Sequence, residues 1–116
     1  MPKTVLVIED DGPIAEMLAM LLGDEGYAVR TARTASEALA QAHANTPDLI
    51  TLDLALPGAD GPALLRALRA DGPAPVVVIS AHPEMLAPAD RALAAAVISK
   101  PFDIDDMLAS VAGLLP

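Results

Sequence analysis

Residues 5–13 read VLVIEDDGP: four apolar residues lead directly into Glu9, Asp10 and Asp11, and a Gly-Pro pair follows. The apolar run predicts a strand that is buried on both faces, and the Gly-Pro pair marks a break in the chain. Three adjacent carboxylates repel one another unless a cation neutralises them. The stretch therefore predicts a buried strand that ends at a cation-dependent site.

The composition fits one small globular domain. The 116 residues are 53% hydrophobic, which is enough to form a core. With 16 acidic and 7 basic residues the formal net charge is −9, which disfavours direct binding to nucleic acid or to an anionic membrane surface. The absence of cysteine excludes disulfides and thiolate chemistry. Without a signal peptide or an apolar run that could span a bilayer, we expect one cytoplasmic domain over residues 1–116, with no output domain.

Apolar segments alternate with helical patterns five times, which is typical of a parallel sheet with helices on both faces. The predicted strands are Thr4–Ile8, Ala28–Ala32, Leu49–Leu52, Val76–Ile79 and Ala96–Ser99. The second strand contains Arg30 and Thr31, and we therefore place it at an edge. A five-stranded sheet of this kind favours the strand order 2-1-3-4-5. The predicted fold is thus α/β, a flavodoxin-like (βα)5 arrangement with a doubly wound parallel sheet.

Capping residues predict where three of the helices begin. A capping box starts at Thr34, before the second helix, and Asp60 and Asp103 precede the third and the last helix. The fourth helix is predicted around Glu84–Ala94, in an Ala-rich stretch that Pro88 interrupts.

The residues that follow the predicted strands converge on one edge of the sheet. In such sheets the ligand site lies outside the carboxyl ends of the strands, at the switch point between strands 1 and 3. Glu9 and Asp10 follow the first strand, and the later strands are followed or ended by three further polar residues, Asp53, Ser80 and Lys100. The edge has no glycine-rich turn for a dinucleotide, no P-loop and no Ser-His-Asp triad.

These side-chain types suit phosphoryl transfer. Oxygen ligands that leave room for water suit Mg²⁺. With that cation in place, one carboxylate can attack a phosphoryl group and form an acyl phosphate. A lysine adds charge neutralisation, and the Ser80 hydroxyl can donate a hydrogen bond to a phosphoryl oxygen.

Four segments carry a resemblance to a known family. VLVIEDDGPIAEML, DLITLDLALPGADG, VVVISA and ISKPF resemble, in order and over essentially the whole chain, the signature segments of the receiver domain of two-component response regulators. The resemblance implies that Asp53 is the phosphoacceptor and that a histidine kinase or histidine phosphotransfer protein supplies the phosphoryl group. It implies a signalling phosphoprotein rather than an enzyme, with Mg²⁺-dependent self-phosphorylation and autodephosphorylation as its only chemistry.

The resemblance also implies roles for the neighbouring residues. Asp10 matches the direct Mg²⁺ ligand, Glu9 matches the acid that acts mostly through water, and the backbone carbonyl of Ala55 matches the remaining protein ligand. Ser80 and Lys100 match the switch hydroxyl and the phosphate-binding lysine. In this family the peptide before the proline is usually cis, which here is the bond from Lys100 to the next residue.

One departure from the family pattern keeps alternative functions open. Receivers usually carry Tyr or Phe three residues before the lysine, whereas this chain has Val97. This change favours the alternative of a degenerate receiver, a protein-interaction module that works without phosphorylation. A metal-dependent phosphatase with an aspartate nucleophile is a third hypothesis, but such enzymes commonly need a second acid where this chain has Ala55. As a receiver, the chain would act through contacts with an unidentified downstream protein.

Two residues near the site have two interpretations each. Asp11 either lines the pocket or begins the first helix, where the helix dipole favours an acid. His82 lies two residues after Ser80 and either influences the access of water to the phosphoryl group or is an exposed loop residue.

Overall fold

The structure, a computed structural model that describes all 116 residues, contains one five-stranded parallel sheet. The order along the sheet is β2-β1-β3-β4-β5. The strands are β1 (Thr4–Ile8), β2 (Ala28–Ala32), β3 (Leu49–Leu52), β4 (Val76–Ser80) and β5 (Ala96–Ser99). The predicted fold, the strand order and the edge position of β2 are confirmed, and β4 extends one residue beyond the prediction.

Five helices connect or follow the strands, and four of them begin at a side-chain cap. The helices are α1 (Gly12–Asp24), α2 (Ala35–Ala44), α3 (Gly61–Asp71), α4 (Pro88–Arg91) and α5 (Ile104–Leu114). The predicted caps Thr34, Asp60 and Asp103 each accept a hydrogen bond from a backbone N–H of the first helical turn. Such caps satisfy donors that a helix end leaves unpaired.

The fourth helix differs from its prediction over Glu84–Ala94. The segment forms a 3₁₀ turn at Pro83–Met85 and then the single turn of α4. Pro88 has no backbone N–H to donate, so it stands at the first position of α4 instead of inside a longer helix. The predicted interruption at Pro88 is confirmed, but α4 is much shorter than the predicted range.

Two hydrophobic cores lie on opposite faces of the sheet. Along β1, Leu6 and Ile8 pack in the core under α2 and α3, whereas Val5 and Val7 pack in the core under α1 and α5. Because β1, β3 and β4 are buried along almost their whole length, the backbone that leaves each of them is held in place. No helix is both long enough and apolar enough to span a lipid bilayer.

Candidate functional site

Sheet hydrogen bonds position the residues at the carboxyl edge. Ile8 pairs with the last residue of β3, so Glu9 and Asp53 emerge side by side from two adjacent strands. The Asp53 backbone N–H donates to the Ile8 carbonyl at 3.0 Å. On the far side of β4, the Lys100 backbone N–H donates to the Ser80 carbonyl at 3.0 Å. The backbone pairing thus continues into the predicted site and fixes where its side chains begin.

Three carboxylates meet at this edge. Glu9, Asp10 and Asp53 each offer an oxygen, and these oxygens lie within 4.8 Å of one another. Glu9 and Asp53 are buried, with 2% and 6% of their surface exposed, whereas Asp10 reaches solvent. A compact set of carboxylate oxygens with one open side is a donor set that fits Mg²⁺, which keeps several of its waters.

Lys100 lies between two of these acids. Its Nζ donates to Glu9 Oε2 at 2.7 Å and to Asp53 Oδ2 at 3.1 Å. The other oxygen of Asp53 accepts a hydrogen bond from the Ala55 backbone N–H at 3.0 Å. One ammonium therefore offsets part of the charge of three carboxylates, and the cluster remains net negative.

The two buried acids have pKa values shifted in opposite directions. Burial raises the pKa of Glu9 above its usual range, although the hydrogen bond from Lys100 acts against this effect. Burial also disfavours ionised Asp53, but the hydrogen bonds from the Ala55 backbone and from Lys100 outweigh it and hold the pKa of Asp53 below its usual range. Burial would lower the pKa of Lys100, yet its two carboxylate partners raise it. Asp53 is thus the acid that the site keeps ionised.

The raised pKa of Glu9 predicts that its charge destabilises the fold at neutral pH. The stability that Glu9 contributes is present below its unfolded pKa and is lost as the pH rises through the raised folded value. We expect Glu9→Gln to raise the free energy of unfolding in urea titrations at pH 7 without divalent cations, because it removes the buried charge.

The effect of Glu9→Gln should disappear as the pH falls below the unfolded pKa of a glutamate, because Glu9 is then protonated in both states. Glu16→Gln, at an exposed acid of α1, is the matched control and should leave stability almost unchanged. Equal or lower stability of Glu9→Gln at pH 7 would contradict the assignment.

The structure places the remaining predicted residues around this cluster. Ser80 is fully buried, and its Oγ accepts a hydrogen bond from the His82 backbone N–H at 3.1 Å. The Ser80 hydroxyl makes no hydrogen bond to the three acids. The Asp11 side chain is exposed and accepts from the Ile14 backbone N–H at 3.0 Å, so it caps α1 and does not join the cluster. The Asp11 backbone N–H, however, donates to Glu9 Oε1 at 3.2 Å.

Three further features of the sequence have defined positions. The His82 side chain is exposed, and its Nδ1 lies 3.1 Å from Glu84 Oε1. Val97 is partly buried against the core under α2 and α3. The peptide between Lys100 and Pro101 is cis, as the resemblance implied.

Sequence reasoning missed the role of Gly61, the first residue of α3. A Cβ on Gly61 would lie 2.7 Å from the Leu54 Cα and closer still to the Leu54 carbonyl oxygen. Leu54 directly follows Asp53, so the start of α3 packs against the backbone of the site. The Asp-Gly-Pro triplet at 60–62 gave no clear signal, because the same triplet begins α1 at 11–13 but ends α3 at 71–73.

The fold and the edge chemistry together define a class of protein. A buried, ionised aspartate stands at the switch point of a doubly wound sheet, beside two further acids and a lysine. An aspartyl phosphoacceptor site requires a carboxylate nucleophile, oxygen ligands for Mg²⁺ and a fixed cation.

The comparison with known families agrees with this class. The family description "Response regulator receiver domain" matches residues 5–112, and the chain therefore belongs to this family. The acidic pocket of Glu9, Asp10 and Asp53 fits the phosphoacceptor site of such domains. Receiver domains are phosphoacceptor signalling modules rather than classical enzymes. Neither the pocket nor the comparisons favour the alternative of a degenerate receiver.

Relatives and solved structures give the same result. The chain is 35% identical to "Probable transcriptional regulatory protein TcrX" of Mycobacterium tuberculosis, over 98% of this chain and 50% of TcrX. It is 41% identical to "DNA-binding response regulator MtrA" of Mycolicibacterium smegmatis, over 70% of this chain and 36% of MtrA. The structure of response regulator TrrA from Thermotoga maritima, in complex with Mg(2+)-BeF, matches with a TM-score of 0.89 and 28% identity, covering 97% of this chain and 98% of TrrA.

The chain spans half or less of the length of these two curated relatives. MtrA is described as DNA-binding, and the matched region is only about a third of it. The expectation that this chain does not bind nucleic acid directly, which rests on its net charge of −9, stays a prediction.

Proposed function

We propose that Asp53 accepts a phosphoryl group from the phosphohistidine of a histidine kinase or of a histidine phosphotransfer protein. The phosphorylated chain then signals through contacts with another protein. The observation that carries this proposal is the environment of the Asp53 carboxylate. It is buried, it is held ionised by the Ala55 backbone N–H and Lys100, and it lies beside two more acids.

In the proposed step, one oxygen of the Asp53 carboxylate attacks phosphorus. The bond between phosphorus and the imidazole nitrogen of the donor breaks, and the electron pair stays on that nitrogen. Lys100, already 3.1 Å from Asp53, neutralises charge on the phosphoryl oxygens, and the Ser80 hydroxyl donates a hydrogen bond to one of them. Catalysis of this kind depends mainly on positioning and on electrostatic stabilisation.

We propose Mg²⁺ as the cation of the site. The carboxylates of Glu9, Asp10 and Asp53 and the backbone carbonyl of Ala55 would hold it, with Glu9 acting mostly through water. When bound, Mg²⁺ neutralises the crowded acids and the incoming phosphoryl group. The described complex of TrrA with Mg(2+)-BeF supports this assignment. Attack of water on the same phosphorus breaks its bond to the Asp53 oxygen, which keeps the electron pair. Inorganic phosphate leaves, and the Asp53 carboxylate is restored without a separate enzyme.

The phosphoacceptor assignment is tested with a small phosphodonor. Wild-type protein incubated with acetyl phosphate and Mg²⁺ should gain the mass of one phosphoryl group, and Asp53→Asn should gain none. Asp24→Asn, at an exposed acid near the end of α1, is the control and should gain the same mass as wild type. A gain of phosphoryl mass in Asp53→Asn would contradict the proposal.

The metal assignment predicts that substitutions of Asp10 and Asp11 have different effects on the stabilisation of the fold by Mg²⁺. At ten times its dissociation constant, Mg²⁺ should raise the free energy of unfolding of the wild type by about 1.4 kcal/mol. Asp10→Ala should abolish most of this gain, because it removes a carboxylate of the cluster.

Asp11→Ala is the matched control for the metal assignment. It should lower the starting stability by about 1 kcal/mol, since Asp11 caps α1, but it should keep the gain from Mg²⁺. A full Mg²⁺ gain in Asp10→Ala would refute the ligand assignment.

A further inference from the structure

Two of the seven basic residues directly follow a strand at the carboxyl edge of the sheet, Arg33 after β2 and Lys100 after β5. Lys100 is already bonded to two acids of the pocket. The side chains of Arg33 and Arg91 make no hydrogen bond and no ion pair, and of these two only Arg33 lies at the carboxyl edge. The other three arginines are held by acceptors on the protein: Arg30, Arg66 and Arg69. Arg33 is therefore an unpaired guanidinium at the edge that carries the acid cluster.

Two contacts place Arg33 near the residues that follow β1. The residue before it, Ala32, accepts a hydrogen bond from the Glu9 backbone N–H at 3.0 Å. The guanidinium itself lies against Gly12, where a Cβ would be only 3.2 Å from Nη2. Gly12 is the first residue of α1 and stands two residues after Asp10. The absence of a side chain at Gly12 thus leaves room for the guanidinium beside the pocket.

This location favours anions. The guanidinium lies at the first residue of α1, and Arg33 directly precedes Thr34, the cap of α2. The macrodipoles of both helices disfavour a cation there and favour a negatively charged ligand. A cation kept at this place without a partner on the protein has its N–H groups free for an anion from outside.

We propose that Arg33 is a specificity-determining residue that draws anionic phosphodonors to the pocket. This inference rests on the proposed function, because it concerns the donor that Asp53 reacts with. The donor brings a phosphoryl group that carries up to two negative charges, and it approaches a cluster that is itself net negative. The free guanidinium offers paired N–H groups to two phosphoryl oxygens. Its attraction should grow with the charge of the donor.

The test compares two donors of different charge. Acetyl phosphate has a dianionic phosphoryl group at neutral pH, and phosphoramidate, with a P–N bond like that of phosphohistidine, carries one negative charge less. In transfer from acetyl phosphate, the bond from phosphorus to Asp53 oxygen forms, and the acetate leaves with the electron pair. The second-order rate constant is measured by mass spectrometry at saturating Mg²⁺ and low ionic strength.

We expect Arg33→Gln to lower the rate constant about fivefold with acetyl phosphate and about twofold with phosphoramidate. Both differences should shrink as salt rises towards about 1 M, where the Debye length is about 3 Å. Arg33→Lys keeps the charge but loses the paired N–H groups, so its rate constant should lie between those of Arg33→Gln and the wild type. Arg91→Gln makes the same charge change on α4 and should react at the wild-type rate.

A second measurement separates this role from a structural one. Removal of a cation beside three acids should tighten Mg²⁺ binding, so Arg33→Gln should lower the Mg²⁺ dissociation constant while it slows phosphorylation. A misfolded pocket would instead weaken Mg²⁺ binding and slow the reaction together. That result would overturn the inference, as would an Arg33→Gln rate equal to wild type or a similar loss in Arg91→Gln. Failure of the proposed function is distinct, because wild type would then gain no phosphoryl group from either donor.

Discussion

Gly61→Ala should lower the free energy of unfolding by about 3 kcal/mol, at the upper end of the usual cost of overpacking. The new Cβ would lie 2.7 Å from the Leu54 Cα and still closer to the Leu54 carbonyl oxygen. These are backbone atoms of a fully buried residue, so no flexible side chain can move aside. Relief requires a shift of Leu54, which is bonded directly to Asp53, and the variant should therefore disturb the site as well as the fold.

Gly12→Ala is the matched control for Gly61→Ala. Both glycines are the first residue of a helix, and each stands between an aspartate cap and a proline. At Gly12 the new Cβ would meet only the mobile end of the Arg33 side chain, at 3.2 Å. Urea titration should show a change of less than about 0.5 kcal/mol for Gly12→Ala, within the range of ordinary helix substitutions. Equal stability of the two variants would show that the α3 contact does not constrain the fold.

Lys100→Met should lower the free energy of unfolding by about 2 kcal/mol in the absence of divalent cations. The change removes the only cation bonded to Glu9 and Asp53, while both carboxylates stay buried. Breaking a buried pair by removing one partner costs about 3–5 kcal/mol, and the partial solvent access of this pocket makes the cost smaller. Urea titrations in EDTA, with Lys3→Met as an exposed control, measure the difference.

The pH and Mg²⁺ dependence of Lys100→Met follow from the same charges. The pKa of Lys100 is raised, so its stabilisation is present below its ordinary pKa of 10.5 and is lost as the pH rises through the folded value. At low pH, the loss of stability in Lys100→Met relative to wild type should become smaller. As the pH falls below the raised pKa of Glu9, protonation of Glu9 removes one unpaired charge. Mg²⁺ should stabilise the variant more than the wild type, since no ammonium then opposes the cation.

A double variant sharpens the Lys100 prediction. Glu9→Gln combined with Lys100→Met removes one carboxylate together with the cation, so its stability at pH 7 should be higher than the sum of the two single effects predicts. Coupling of this kind is expected for residues in direct contact, such as these two at 2.7 Å. Additive effects of the two substitutions would contradict the ion-pair account.

The strand ends were predictable because they depend on local patterns. Continuous apolar runs predicted the buried strands. The polar residues at or after the ends of these runs predicted the acids and the lysine of the site. The side-chain caps at Thr34, Asp60 and Asp103 were predictable for the same reason, since a cap needs only a short polar side chain at the right offset.

The features that the sequence could not give depend on tertiary contacts. Whether Pro88 begins or interrupts a helix depends on how the segment packs; here Arg66 of α3 bonds Asp90 of α4 at 2.8 Å. Gly12 and Gly61 have the same neighbours in sequence, and only the packing of α3 on Leu54 makes one of them irreplaceable. The opposite pKa shifts of Glu9 and Asp53 likewise arise from a lysine far away in the chain.

The most direct test of the central claim is chemical mapping of the phosphorylated residue. Borohydride reduces an aspartyl phosphate to homoserine, and tryptic cleavage after Arg33 and Arg66 yields a peptide over 34–66 with three aspartates: Asp48, Asp53 and Asp60. Fragmentation of this peptide, after treatment with acetyl phosphate and Mg²⁺, should locate homoserine at Asp53 alone and only when Mg²⁺ is present. Homoserine at either other aspartate, or none in a protein that has gained phosphoryl mass, would contradict the account.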